Sequence, residues 1–489
     1  MPVNPASICC TLVLVGLLAV AACGGDGGGG PLPEGPTTLA YAVSECRQEK
    51  NGDAFLTRQV LYVRHGDGEP RPVMEFGEVG PKPNNRLCYN AFGLGRGGFA
   101  SVLLWPLQRL GVSRDGSLVV FEVTDDFSLF SQSQVQLPLR KGIYVVNADG
   151  SGLRRLGPAS RAPCFEWTGF VFAFFGFSPN GRTVTFPDLD SALPQLDAPQ
   201  VFTLDVGTGE ATQLTHLPAA TGYPTASALF APSFLNDETI TFWSYANPPT
   251  QGHPNGANPD GVATTFTVKT DGTGLEPVPV IALPGGSIIP NFMITSAEPL
   301  AQGIVVSGET PVNGPAGLGN VVAEVFTFDT NPSQVLQLTN FQRSDTYYAK
   351  LTADLRRVVF LASADPLGSN PANHCEVFSI DRLGGDLRQL TNIGEGPAWN
   401  CDQFVRTSPR TSCSITQLRV DPVTGWVTFY SSCNPFGSNP YGSQIFTMRP
   451  DGTGLRQLTT TRGMTKDADG TLTVELPGPW GVPERGGNE

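Results

Sequence analysis

One segment pattern returns along the chain and limits the fold more than any other feature. "IYVVNADGSGLRRL" (from Ile143) has counterparts in "VFTLDVGTGEATQL" (from Val201), "TFTVKTDGTGLEPV" (from Thr265) and "VFTFDTNPSQVLQL" (from Val325). "VFSIDRLGGDLRQL" (from Val377) and "IFTMRPDGTGLRQL" (from Ile445) follow, and a weaker copy starts at Leu61. Each is an alternating apolar/polar run, a Gly/Asp/Asn cluster and a second short run, which reads as a β-hairpin. A second hairpin precedes most copies: "VSRDGSLVVFEV" from Val112, "FSPNGRTVTF" from Phe177, "SFLNDETITF" from Ser233, "LTADLRRVVF" from Leu351 and "VDPVTGWVTF" from Val420. Two hairpins make a four-stranded unit with strands A, B, C and D.

The aromatic anchors of these units, from Tyr62 and Tyr144 to Phe378 and Phe446, recur at intervals of about 50 to 80 residues. A single four-stranded sheet cannot bury both faces, so such units stack around an axis as blades. The expected fold is therefore all-β: a β-propeller of four-stranded antiparallel blades. The first copy has B, C and D strands but no A strand, and "GMTKDADGTLTVEL" (Gly463 to Leu476) offers an A-type strand after the last complete unit. Seven blades are expected, six complete and one composite that closes the ring, with six blades as the alternative. Abundant Gly (57) and Pro (43) and a charged fraction of only 15% fit short strands and turns.

The paired hairpins resemble the WD-like repeat of TolB-type propellers, on "FSPNGRTVTF", on Asp149-Gly150, Asp271-Gly272 and Asp451-Gly452, and on the "QLT" of Gln213, Gln389 and Gln457. The resemblance runs over nearly all of the chain after residue 38. There is no room before the repeats for the N-terminal α/β domain of TolB itself, so that protein's role is not expected to transfer.

The N-terminus reads as an export signal. Ile8 to Ala22 is an unbroken apolar run of about the length of a signal h-region and shorter than a membrane span. "VAAC" (Val20 to Cys23) resembles the bacterial lipobox, which implies lipid attachment at Cys23, although "MPVNPAS" has none of the basic residues of the usual n-region. The expected organisation is signal peptide 1–22, Gly/Pro-rich tether 23–37, propeller 38–480 and disordered tail 481–489. Localisation follows as the bacterial cell envelope, at the outer membrane, facing the periplasm or the cell surface.

Chemistry is sparse in the sequence. The net charge of −13 argues against nucleic acid, and membrane contact is expected through the lipid alone. The "DG" stretches have too few carboxylates for a calcium loop and no following helix for a phosphate, so Asp149, Gly150, Asp271, Gly272, Asp451 and Gly452 read as turn formers. Four histidines and no H-E-x-x-H or G-x-S-x-G give no catalytic set. No cofactor or metal is expected, and the chain is expected to be a monomer and not an enzyme. Beyond Cys9, Cys10 and Cys23 seven cysteines remain, without a C-x-x-C pair; Cys401–Cys413 and Cys46–Cys88 are the expected disulfides.

The loops say more. A–B and C–D turns are short, while B–C and D–A connections are long and emerge on one face of a propeller. That face should bind a protein, peptide or glycan of the envelope, with Tyr245, His253, Asn370, Phe436 and Tyr441 as candidate contacts. The alternative is an enzyme resembling the oligogalacturonate lyases, which have a TolB-like propeller and a metal cluster containing histidines.

Overall fold

The computed structural model describes residues 35–48, 54–76, 107–123, 141–160, 175–190, 199–219, 229–262, 264–279 and 292–298. It further describes 303–311, 321–328, 335–342, 346–395, 413–439 and 442–485, with 281–282, 288–289 and 401 (342 and 346 bound a gap at 343–345). All secondary structure among the described residues is β-strand and turn. Six antiparallel sheets of four strands follow one another in chain order: blade 1 from Leu107 to Gly157, blade 2 from Gly176 to Gln213 and blade 3 from Leu229 to Pro277. Blade 4 runs from Phe292 to Gln337, blade 5 from Thr346 to Gln389 and blade 6 from Ile415 to Gln457.

A seventh sheet is composite. β1 (Thr38–Gln48), β2 (Ala54–His65) and β3 (Arg71–Phe76) come from the N-terminal part, and a hairpin of Gly463–Lys466 and Leu472–Gly481 comes from the C-terminal part. Leu472–Gly481 pairs antiparallel with β1, joining Gln48 to Leu472 at one end and Ala40 to Gly481 at the other. The closing sheet has five strands where the sequence suggested four. The reason is local: Asp469 accepts the Thr471 N–H at 2.9 Å and Gly470 takes φ 94°, so the stretch folds as a hairpin and both flanks become strands. Gly463–Lys466 is the additional member.

Blade-to-blade packing follows from period-two burial. Phe121 stacks on Tyr144, Phe242 on Phe266, Phe360 on Phe378 and Phe429 on Phe446, with ring centroids 5.7 to 6.0 Å apart. Each pair pairs directly across the B and C strands of one blade, and Phe121 and Tyr144 lie in a core shared with Ala40, Ala42, Leu61 and Val63 of the closing sheet.

The recurrent "QLT" has a mechanical explanation. In blades 2, 4, 5 and 6 the C strand carries a buried Gln or Glu: Gln200, Glu324, Glu376 and Gln444. The Thr hydroxyl donates to it, as Thr391 does to Glu376 at 2.5 Å and Thr459 to Gln444 at 2.7 Å. The same hydroxyl accepts the N–H of the next C-strand residue, Val377 or Ile445. The motif's Gln then donates to the Thr carbonyl, at 2.7 Å from Gln389 and 2.6 Å from Gln457. This latch fixes the point where the D strand leaves for the next blade.

The Asp-Gly stretches are turns. Asp149 accepts the Ser151 hydroxyl at 2.6 Å and its N–H at 2.9 Å, and Thr273 and Thr453 donate likewise to Asp271 and Asp451. Gly150, Gly272 and Gly452 have φ of 82°, 81° and 86°, a region that favours glycine. Those hydrogen bonds hold the three carboxyls below the ordinary aspartate range, the hydroxyl contributing most. A carboxyl depressed in the fold stabilises it above its unfolded pKa and ceases to as pH falls through the folded value. Thermal stability is therefore expected to be level down to about pH 4 and to decline below it, a profile that melting curves across pH would check.

Candidate functional site

B–C and D–A connections emerge on one side of the ring, hereafter the loop face, and A–B and C–D turns on the other, the turn face. Both chain ends approach the turn face. The Thr37 N–H donates to Asp421, in the A–B turn of blade 6, at 2.5 Å, and the Thr38 hydroxyl donates to the Gly116 carbonyl, in the A–B turn of blade 1, at 2.6 Å. Thr37 and Thr38 therefore lie on the side opposite the elaborated loops.

Three B–C loops share one construction. In blade 5, "DPLGSN" (Asp365 to Asn370) has a buried Asn370 whose N–H donates to Asp365 at 2.7 Å and whose amide donates to the Ala364 carbonyl at 3.0 Å. In blade 6, "NPFGSN" (Asn434 to Asn439) repeats it: Asn439 N–H to Asn434 at 2.6 Å and amide to the Cys433 carbonyl at 3.0 Å. Blade 3 carries the same pin across a longer insertion, from Asn258 to Asn247 at 2.6 Å and to the Ala246 carbonyl at 3.2 Å. Gly368 and Gly437 turn the tips at φ 72° and 73°. Ser369 and Ser438 then donate to Gln389 and Gln457, the glutamines of the latches below.

Such pinning leaves the residue before each tip glycine projecting. Leu367 is 48% exposed and Phe436 51% exposed, on neighbouring blades. Around them stand Pro366, Ser369, Pro435 and Ser438, all exposed and uncharged. The blade 3 loop is held by Glu276, which accepts the Gly252 N–H at 2.9 Å and the Thr250 hydroxyl at 2.7 Å; these bonds, the backbone one first, lower its carboxyl pKa.

Two disulfides tie the blade 5–6 connection to this rim. Cys375–Cys401 joins it to the start of the blade 5 C strand, and Cys413–Cys433 joins it to the base of the Phe436 loop. The expected Cys401–Cys413 pair is thus incorrect: each cysteine bonds outward to a blade instead of inward to the other. Cys46 is disulfide-bonded, while Cys88 lies outside the described residues. The two closed loops span 26 and 20 residues, so replacing either pair by alanine should cost about 3 kcal/mol. Denaturant titration of C375A/C401A would check this.

The other candidates fall variously. Tyr245 is half-buried with its ring centroid 5.6 Å from that of Trp243, and His253 is exposed in the blade 3 loop. Asn370 is structural: its amide is spent on the loop's own carbonyls. Tyr441 and Cys23 lie outside the described residues, as do 486–489 of the expected tail; Gly481 to Arg485 are described and turn in against the inner strands. Among the described residues, no group of three or more His, Cys, Asp or Glu could hold a metal. The loop-face rim over blades 5 and 6 carries two apolar tips, Leu367 and Phe436, on pinned loops, with the Asp365 carboxylate at the base of one of them.

No family model and no curated protein matches the chain. Solved structures do. TolB from Acinetobacter baumannii aligns at 10% identity over 91% of this chain and 83% of its own, with a TM-score of 0.39. An oligogalacturonate lyase from Vibrio parahaemolyticus aligns at 9% identity over 83% and 90%, TM-score 0.43. The β-propeller domain of the Trilobed protease from Pyrococcus furiosus aligns at 11% over 74% and 88%, TM-score 0.41. The chain's own sheets make it a β-propeller protein.

Proposed function

We propose that this propeller is a non-enzymatic binding module of the bacterial cell envelope, tethered through lipid on Cys23, which engages a protein or peptide partner with the loop-face rim of blades 5 and 6. The observation that carries the reading is the pair of identically built, pinned tips that leave Leu367 and Phe436 about half exposed, Phe436 with its ring stacked on Phe446, while two disulfides tie down the connection beside them. Large apolar side chains presented on rigid loops bury area at low entropic cost, which is how interface anchors act. Disulfides in this number suit an oxidising compartment. A tether leaving from the turn face would leave the loop face pointing away from the membrane.

Leu367→Ser combined with Phe436→Ser removes the tips and keeps the pins. Cross-linking and quantitative pull-down from envelope fractions should show recovery of the specific partner falling at least about tenfold, with the fold kept and the melting temperature lowered only by the lost stacking of Phe436 on Phe446. Equal recovery with the double variant would exclude this rim. Mass spectrometry of the mature N-terminus tests the tether, since a diacylated Cys23 is expected and an unmodified N-terminus elsewhere would reject it.

A further inference from the structure

The aromatic pair across the B and C strands recurs in the closing sheet as Tyr41 and Tyr62, in register with ring centroids 5.5 Å apart. Over the pairs of blades 3, 5 and 6 lies a side chain from the connection before each, two residues after the Thr of "QLT". Leu217 shares a core cluster with Phe242 and Phe266, and Phe341 packs on Phe360 and Phe378. Ile393 packs against the cluster holding Phe429 and Phe446. After blade 6 the same position is Thr461. There Thr461, Tyr41 and Tyr62 line a cavity of about 210 Å³.

The walls of this cavity carry donors and acceptors of several kinds. Tyr41 is 6% exposed, and its hydroxyl makes no hydrogen bond among the described residues. Burial pushes that phenol up to about 12, so it stays a neutral donor and acceptor. Thr459 and the Thr461 N–H are engaged with Gln444, whereas Thr460 between them is exposed and makes no side-chain hydrogen bond among the described residues. Glu45, Glu475 and the half-exposed Arg58 complete the lining. Each of these charges has a counter-charge: Arg462 bridges Glu45 and Glu475, and Arg58 Nε donates to Glu75 at 2.7 Å. An entering anion would face two carboxylates, and an entering cation would face Arg58.

We propose that this cavity binds one neutral pyranose ring, as a free sugar or as the end residue of a glycan. Sugar hydroxyls need both donors and acceptors, which the phenols, Thr460, the carboxylates and the Arg58 guanidinium supply. Tyrosine rings add an apolar surface for the C–H face of the sugar. The volume falls below the roughly 300 Å³ at which pockets for drug-sized ligands begin, and so suits a single ring. Two changes coincide at this one blade junction, phenylalanine to tyrosine in the pair and an apolar plug to threonine. Both exchange packing for hydrogen bonding. The lining includes neither Leu367 nor Phe436, so the site is independent of those tips.

Restoring the plug tests this. Methyl glycosides of glucose, galactose, mannose and N-acetylglucosamine are titrated into the full-length protein, followed by calorimetry and saturation-transfer NMR. At least one should bind with a dissociation constant of about 0.1 to 10 mM, while glucuronate and choline show no saturable binding. Thr461→Leu and Thr461→Phe, which copy the plugs after blades 2 and 4, should weaken that binding at least about tenfold. Thr461→Ser should retain it. Should both plugs misfold, Tyr41→Phe keeps the ring, removes the buried hydroxyl and should weaken binding about threefold or more. A disaccharide that binds as well as its terminal sugar assigns the site to glycan ends, and one that does not bind assigns it to free sugars. Absence of saturable binding by all four glycosides, tighter binding of glucuronate or choline, or unchanged binding in the plugged variants and Tyr41→Phe overturns the inference.

Discussion

A chain ending at Arg462 should not unfold cooperatively at any ordinary temperature, because it should not reach the closed fold. The missing segment supplies Leu472–Gly481, which pairs with β1 along most of its length, and the buried side chains of Val474, Leu476, Trp480 and Val482. Deleting a single buried Trp side chain costs about 3–5 kcal/mol, and the total stability of a domain is only about 5–15 kcal/mol. Losing all four together with a whole row of strand hydrogen bonds exceeds that margin. Trp480→Ala is the graded version, also freeing Gln417, which accepts its indole N–H at 2.6 Å. Circular dichroism and calorimetry would check both. A truncated chain melting within a few degrees of the full one would mean that six blades close without the hairpin.

The second large effect concerns the latch at Glu376. This side chain is fully buried and accepts the Thr391 hydroxyl at 2.5 Å, the Ile393 N–H at 3.1 Å and the Gly394 N–H at 2.8 Å. Glu376→Ala strands one buried donor, the Thr391 hydroxyl, and two part-buried N–H groups, so a loss of roughly 2 kcal/mol or more is expected. Glu376→Gln should cost less than alanine, since Gln200 and Gln444 keep the bonds from the Thr hydroxyl and from the N–H two residues on; their amide nitrogens donate to a carbonyl instead, so the Gly394 N–H would lose its acceptor. Urea denaturation of both variants decides it. If alanine and glutamine are equally tolerated, the latch is ornamental and the Thr of the "QLT" is conserved between repeats for another reason.

The architecture was readable because each determinant is local. Alternation marks the strands, Asp-Gly with a following Ser or Thr marks the C–D turns, and both repeat often enough to count units. The closing sheet was readable from its missing partner, since β1 to β3 lack an inner strand and the C-terminus supplies one. The site was only partly readable. Which cysteines meet depends on how a blade-to-blade connection lies over its neighbours, and spacing along the chain holds no record of that. Asn370 looked like a contact because exposed loops are rich in Asn, yet its buried amide is consumed within the loop, a fate the matched "DPLGSN" and "NPFGSN" could have signalled. The burial of Lys350 and Arg419 was not legible for a geometric reason. Their A strands carry bulges between Tyr347 and Lys350 and between Thr416 and Arg419, with Tyr348 and Gln417 both at φ 54°, so alternation counted through the strand assigns the wrong face.

The composite sheet also sets an order of events. A ribosome delivers β1 first and its partner strand, Leu472–Gly481, almost last, so one edge of the earliest sheet waits through the synthesis of six blades. An open strand edge of that kind invites pairing with other chains. Until the last hairpin arrives, the nascent protein is a spring without its clasp, and any process that keeps the early segments from pairing, by holding them extended or sequestered, would raise the yield of correctly closed rings.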